Sequence, residues 1–349
     1  MEKIKDLAKS ILYYSRYYNL VRFWRDLVHP EGKLIILSFH NISEASESLD
    51  ASFQPLNLRP ETTIRQFELQ LRCLKKCCKV VSLEEGVNWM KKERVFRDKL
   101  AVITFDDSYE SFYTLAFPLL KRYDFPATVF LPTDFINSQR IFWWDELQQI
   151  IFYAVPSGES ASVLIPVIGE KLAKQFYEAG KDFKHKAQFL ESLEFYLRSI
   201  EEELRQEKIE KLKELLLTDQ HVKLAKPRNL SWDQITEMSR QGISFGSHTC
   251  SHLNLKFASL ERVKEELAKS KEIIEDNIKA KVVSFAYPIE ADFETHLRVR
   301  PILINLKYEC ACAGWRRVNL SNFDPFFLRR TTLPMSAWKS LIVRELLLC

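Results

Sequence analysis

The stretch Leu100-Ala101-Val102-Ile103-Thr104-Phe105-Asp106-Asp107-Ser108 decides how the rest of the chain reads. LAVITF carries no charge, and two carboxylates follow it at once. An unbroken apolar run of this length marks a strand covered on both faces, as in a parallel sheet. The C-terminal end of such a strand is where α/β sheets and barrels bind ligands. Adjacent carboxylates are costly to hold close unless a cation or proton offsets them. Neighbouring side chains diverge in extended backbone, so one Asp can ligate a metal while the other faces a reacting water. Alone, an Asp-Asp pair is as often a cap or turn, so a second motif is needed.

Upstream, Lys33–Phe39 (KLIILSF) has the composition of another buried strand, with His40 at its C-terminal end. Residues 41–62 are polar and contain two prolines, a loop. Ile64, Phe67, Leu71 and Leu74 repeat at helical spacing, and Val80–Leu83 is a short strand before a helix to about Lys92. Downstream, Phe112, Leu115, Leu119 and Leu120 mark a helix, and Ala127–Leu131 (ATVFL) a strand. The alternation resumes at 232–240 (helix), Ile243–Gly246 (strand), 259–277 (helix), Val282–Tyr287 (strand) and Ala311–Ala313 (strand). Strand–helix alternation predicts an α/β fold with a parallel sheet. Between about 137 and 229 the pattern breaks. Phe189, Leu193, Leu197, Ile200 and Leu204 recur among dense Glu and Lys, which predicts a long helix or helical hairpin inserted into the sheet domain.

The second motif is His248-Thr249-Cys250-Ser251-His252, after the strand Ile243–Gly246. One helical turn would put both imidazoles on one face at this i, i+4 spacing, a usual metal-ligand arrangement. The two motifs together supply two His and an Asp. Three protein ligands with an open position suit a catalytic divalent metal; zinc is the simplest occupant, and other divalent ions fit the same donors.

The bulk properties exclude several classes. The chain has 349 residues, 46% hydrophobic and 28% charged, with net charge +4. Charges of both signs are mixed, so nothing marks nucleic acid as a partner. Only 8 glycines are present, without a Walker or GxGxxG run. Seven cysteines, an odd number, read as a reducing, cytoplasmic setting. The Cys73/Cys77/Cys78 cluster has two readings, a metal site or an apolar helix face formed by Leu69, Cys73 and Cys77 or Cys78, and the second is favoured. No window spans a bilayer, and the apolar run at Ile11–Tyr14 is too short for a signal peptide. Residues 1–28 read as a basic, aromatic amphipathic helix that either rests on the inner membrane surface or packs on its own domain.

The two motifs, in this order, resemble the polysaccharide deacetylase family, whose patterns run T-F-D-D-G and then H-[ST]-x-x-H. Phe125-Pro126-Ala127-Thr128-Val129-Phe130 is similar to the family's strand after the first motif, and Phe285-Ala286-Tyr287-Pro288 resembles a variant third motif. The resemblance covers most of residues 33–334. It implies a distorted (β/α) barrel of about seven strands with the helical insertion, and removal of N-acetyl groups from an N-acetylated carbohydrate. It makes Asp107, His248 and His252 the metal ligands, Asp106 the general base, and the backbone N–H of Ile289 the oxyanion donor. Tyr287 and Trp144 become substrate contacts, although Trp144 in Trp143-Trp144-Asp145 can equally anchor the insertion. The family's Leu-x-His acid is missing; the element order resembles a permuted exopolysaccharide branch, which points to His40.

Three departures from the pattern matter. Ser108 replaces the usual Gly, so the turn after Asp107 must avoid positive φ or tolerate strain. Glu290 stands where the third motif has Gly. Ala286 replaces the Arg that orients the base, and Arg329 (or its neighbour Arg330) is the substitute expected. Ser108 and Glu290 leave a second reading open, a sugar-binding homologue with weak or no catalysis.

Overall fold

The computed structural model describes residues 33–44, 62–92, 99–154, 158–180, 182–217, 224, 228–289, 291–314, 319 and 323–331. The expectations for residues 1–28 and Glu290 lie outside these. β1 (Lys33–Phe39), β2 (Ile42–Ser43) and β3 (Thr62–Thr63) lead to α1 (Ile64–Cys77), β4 (Lys79–Val80), α2 (Leu83–Lys92) and β5 (Lys99–Asp106). A wide π-type turn, Phe112–Ala116, runs into α3 (Phe117–Tyr123) and then β6 (Ala127–Leu131). Five helices follow: α4 (Trp143–Tyr153), α5 (Gly158–Ile168), α6 (Glu170–Ala179), α7 (Phe183–Arg198) and α8 (Glu202–Leu216). Next come α9 (Trp232–Ser239), β7 (Ile243–Ser247), α10 (Leu260–Ile278), β8 (Ser284–Ala286), α11 (Phe293–Asn305) and β9 (Cys310–Cys312).

The main strands are parallel, in the order β1-β5-β6-β7-β8-β9, with β4 also on β5. Register aligns their C-terminal ends. Phe39 faces Phe105, Asp106 faces Phe130, Leu131 faces Ser247 and Ala286 faces Cys312. His40, Asp106, Asp107 and His248 therefore share one end. The sheet curls into a distorted barrel because the segment around Leu328–Thr331 bridges both edges. Leu328 N–H donates to Ala311 O at 2.9 Å, and Thr331 N–H to Ile36 O at 2.8 Å. Asn319 fastens this segment: its side chain donates to Arg329 O at 2.9 Å and accepts from Arg329 N–H at 2.8 Å, while its backbone pairs with Leu34.

Strand parity sorts the core. Ala101, Ile103 and Phe105 pack with the outer helices against Phe67, Leu71 and Phe112. Leu100 and Val102 pack inward with Leu34, Ile36, Phe130, Cys312 and Leu328. The same period of two carries Thr104 and Asp106 to the inner side, so Asp106 ends the inner row at the rim. Gly246 is required beside this lumen filling: a Cβ there would lie 2.5 Å from Phe130 Cδ1 and 2.7 Å from Ser284 Oγ. Cys73 and Cys78 pack, partly buried, against the outer core, as apolar residues would.

The expected helical stretch over residues 185–217 is two helices, α7 and α8, joined by residues 199–201, and three further helices precede it in the insertion. α4–α8 enclose a core of their own, with Leu147, Ile150, Leu164, Phe176, Phe189, Leu193, Leu197, Ile209 and Leu212 buried. Two helices need not bury all of these apolar faces, whereas five close around them. Buried Lys186 donates to Phe152 O at 2.8 Å and Ala154 O at 2.6 Å, satisfying carbonyls at the end of α4. Burial pushes its amine down to about 8. Among the described residues no helix is long and apolar enough to cross a membrane.

Candidate active site

The two adjacent aspartates occupy different environments. Asp106, 4% exposed, is clamped by Arg330: Nη1 donates to Oδ1 at 2.6 Å and Nη2 to Oδ2 at 2.7 Å. Burial alone would raise this carboxyl, but the Arg330 guanidinium, with smaller contributions from His248 and His40, holds Asp106 well below the usual carboxylate range. Arg330 is itself buried, its guanidinium 5.8 Å from the centre of the Phe130 ring. His40 stands on the open side, its side chain 52% exposed and its Nε2 3.8 Å from Asp106 Oδ2.

Asp107 turns away because its backbone is left-handed, with φ of 68°. Its Oδ1 lies 3.8 Å from His248 Nε2 and 3.5 Å from His252 Nε2. One ligand atom from each of the three residues lies within 4.8 Å of the others, and all three residues are buried. His248 Nδ1 sits 2.8 Å from Ala286 O. A carbonyl only accepts, so Nδ1 carries the proton and Nε2 keeps its lone pair for a cation. Burial pushes His248 down to about 4 and His252 well below its ordinary value. Both imidazoles are therefore neutral at pH 7, the form that binds metals. Two neutral imidazoles and a carboxylate with converging donors fit a divalent ion such as zinc.

Several expected details are corrected. Arg330, not Arg329, meets Asp106; Arg329 is exposed. Alternation from the inward-packed Leu328 places position 330, not 329, on the inner side. The His248–His252 segment is not a helical turn. It is a loop with left-handed Thr249 (φ 64°) and His252 (φ 60°), and it still brings the two rings to 4.9 Å. The turn after Asp107 avoids positive φ at Ser108, one of the two outcomes expected there, and the left-handed residue is Asp107 itself. Ser108 is fully buried and accepts at its carbonyl from Leu230 N–H, so Ser in place of Gly meets no backbone conflict.

Trp144 and Tyr287 are not surfaces on which a sugar can stack. Trp144 is 7% exposed, stacked on Phe142 and edge-on to His252 at 4.7 Å. Its Nε1–H donates to Tyr109 Oη at 2.9 Å, and Tyr109 O–H donates to Asp145 at 2.7 Å. This network anchors the insertion beside the histidine loop. Tyr287 is buried, with its hydroxyl 3.4 Å from His296 Nδ1. Ile289 lies in a half-buried bend just past β8, at the same barrel end.

Comparison with known proteins agrees with this architecture. The family model for polysaccharide deacetylase matches residues 93–309. The chain belongs to the polysaccharide deacetylase family, in which dependence on a divalent metal is general. It is 37% identical over 122 residues to the poly-beta-1,6-N-acetyl-D-glucosamine N-deacetylase of Staphylococcus aureus strain MSSA476, covering 33% of this chain and 41% of that protein. The Staphylococcus epidermidis counterpart is 29% identical over 120 residues, with the same coverage. The match thus spans about two fifths of these relatives' length. Among solved structures, the Streptococcus pyogenes deacetylase PplD in complex with acetate aligns with TM-score 0.55 and 20% identity, over 89% of this chain and 97% of that one. IcaB from Ammonifex degensii aligns with TM-score 0.55 and 16% identity, over 90% and 97%. These structures share the barrel fold.

Proposed function

We propose that this chain is a divalent-metal-dependent N-deacetylase that removes acetyl groups from an N-acetylated carbohydrate. An N-acetylglucosamine polymer is the substrate class, the kind of polymer named for its staphylococcal relatives. One observation carries the reading. Two consecutive carboxylates are assigned opposite partners: Asp107 faces two neutral imidazoles, and Asp106 is clamped by a guanidinium.

Asp107, His248 and His252 hold the ion, zinc in this proposal, which supplies charge to polarise the acetamide carbonyl and to acidify water. Asp106, kept ionised by Arg330, takes the proton of the attacking water. An Arg-paired carboxylate is a weak base, which is why it works beside the three-ligand cluster rather than alone. His40, on the open rim, returns a proton to the leaving amine. The backbone N–H of Ile289 donates to the carbonyl oxygen as that oxygen gains charge. Arg330 fixes the plane of the Asp106 carboxylate and keeps it deprotonated. The sugar-binding alternative loses its argument at Ser108, where the backbone carries no strain.

The test pairs elemental analysis with acetate release from N-acetylglucosamine oligomers, in wild type and in the His248→Ala/His252→Ala variant. Stoichiometric metal and acetate release in wild type, both lost in the variant, are expected. A reconstituted wild type without bound metal would refute the proposal.

A further inference from the structure

We infer that Glu266 is a positioning residue for the two histidine ligands, its carboxylate holding the His248–His252 loop in the shape that aims both imidazoles at Asp107. The inference rests on the metal-dependent reading above. Left-handed backbone is disfavoured for residues with a Cβ, most of all for β-branched Thr249. Two such residues, Thr249 and His252, stand within four positions of each other. A conformation of this kind persists only where its surroundings over-determine it.

The loop's hydrogen bonds show where that support comes from. His248 N–H donates to Leu131 O at 3.0 Å, and Thr249 N–H to Ser247 Oγ at 3.3 Å. The carbonyls of Thr249 and Cys250 accept from Thr133 and Asp134 N–H at 3.2 and 3.0 Å. The next two amides, Cys250 and Ser251, both donate to Glu266 Oε2, at 2.7 and 2.9 Å. Glu266 Oε1 accepts from Ser251 Oγ at 3.0 Å and pairs with Arg262 Nη2 at 2.7 Å. Glu266 stands on α10 and is only 4% exposed. A carboxylate serving α10 alone would stay in water, because burying it without donors is expensive. This one is buried where three donors of the ligand loop converge. It acts on the metal through the loop: with Cys250 and Ser251 released, Thr249 and His252 can relax from left-handed backbone, and His252 leaves its alignment with His248.

The experiment titrates metal-free protein with Zn2+ against a chromophoric chelator, for wild type, Glu266→Gln, Glu266→Ala and His248→Ala/His252→Ala. Thermal unfolding of each metal-free protein is measured in parallel. Glu266→Ala is expected to weaken the zinc Kd roughly 10- to 100-fold in folded protein, the usual effect of losing a residue behind the ligands. Glu266→Gln, which keeps one acceptor oxygen and loses the charge, is expected to fall between wild type and Ala. Unchanged zinc affinity in both folded Glu266 variants overturns the inference, even if their unfolding temperatures drop. Should Glu266→Ala not fold, Glu266→Gln decides alone, and a wild-type Kd there overturns it. A wild type that binds no zinc overturns the metal reading and the inference with it. A wild type that binds zinc, with Glu266 variants that bind it equally well, removes the inference only.

Discussion

Replacing Arg330 by Ala should reveal how much of the rim depends on a single ion pair. Arg330 gives Asp106 two buried hydrogen bonds at 2.6 and 2.7 Å. At roughly 1.5–3 kcal/mol for each bond to a charged group, the pair sums to about 3–6 kcal/mol. Stripping one partner from a buried ion pair costs about 3–5 kcal/mol, so Arg330→Ala is expected to lose about 4 kcal/mol at pH 7. The loss should depend on pH. In wild type the folded Asp106 carboxyl lies below its unfolded value, so its contribution is present above about pH 4 and is lost as pH falls through the depressed value. Without Arg330, burial is opposed only by more distant charges and raises the same carboxyl, so acidification relieves the variant. The gap between the two proteins is therefore widest near neutrality and narrows towards pH 4.5. Urea unfolding of metal-free protein at both pH values measures it. A gap under about 1 kcal/mol at pH 7, the range of an exposed pair, or an equal gap at pH 4.5, would refute this account.

Four further outcomes are expected. His40→Gln should lower kcat about 10²–10⁴-fold with KM little changed; steady-state acetate release reads both. Gly246→Ala should destabilise the protein by about 1–3 kcal/mol through the Phe130 contact, and Phe130→Leu in the same chain should recover part of that in urea midpoints. Trp144→Ala should cost about 3–5 kcal/mol as a core truncation; a raised KM at full stability would instead restore the stacking role. Liposome flotation with and without residues 1–28 separates the two readings of that segment: a drop on removal supports membrane contact, and equal flotation excludes it there.

The barrel was largely legible because buried parallel strands announce themselves as short uncharged runs. Lys33–Phe39, Leu100–Phe105 and Ala127–Leu131 fall on strands. The insertion was read less well, since charge spacing along residues 185–217 marks helical faces without saying how many helices pack together. At the site, residue types and order pointed to Asp107, His248 and His252, yet the loop shape was hidden. An i, i+4 spacing is shared by a helical turn and by a loop with two left-handed residues, and the bonds of this loop to Ser247, Thr133, Asp134 and Glu266 lie far along the chain or outside any sequence pattern. Arg330 over Arg329 was within reach of period-two reasoning. The bonds among Tyr109, Trp144 and Asp145 join the end of β5 to the start of α4, a meeting decided by tertiary packing.

The segment around Leu328–Thr331 also governs when the protein becomes itself during synthesis. Asp106 and Arg330 are 224 positions apart in the chain, so the guanidinium reaches its carboxylate only after every strand of the sheet has been made. Until then the Ile36 and Ala311 carbonyls and the Ser38 and Ala313 amides, which this segment pairs, stand open and able to pair with another chain. A ribosome-bound chain that stops before Leu328 would carry all three metal-ligand candidates yet lack the clamp on Asp106. Such a chain would be sticky and inactive, and a molecule whose barrel has closed would also be one whose rim is complete.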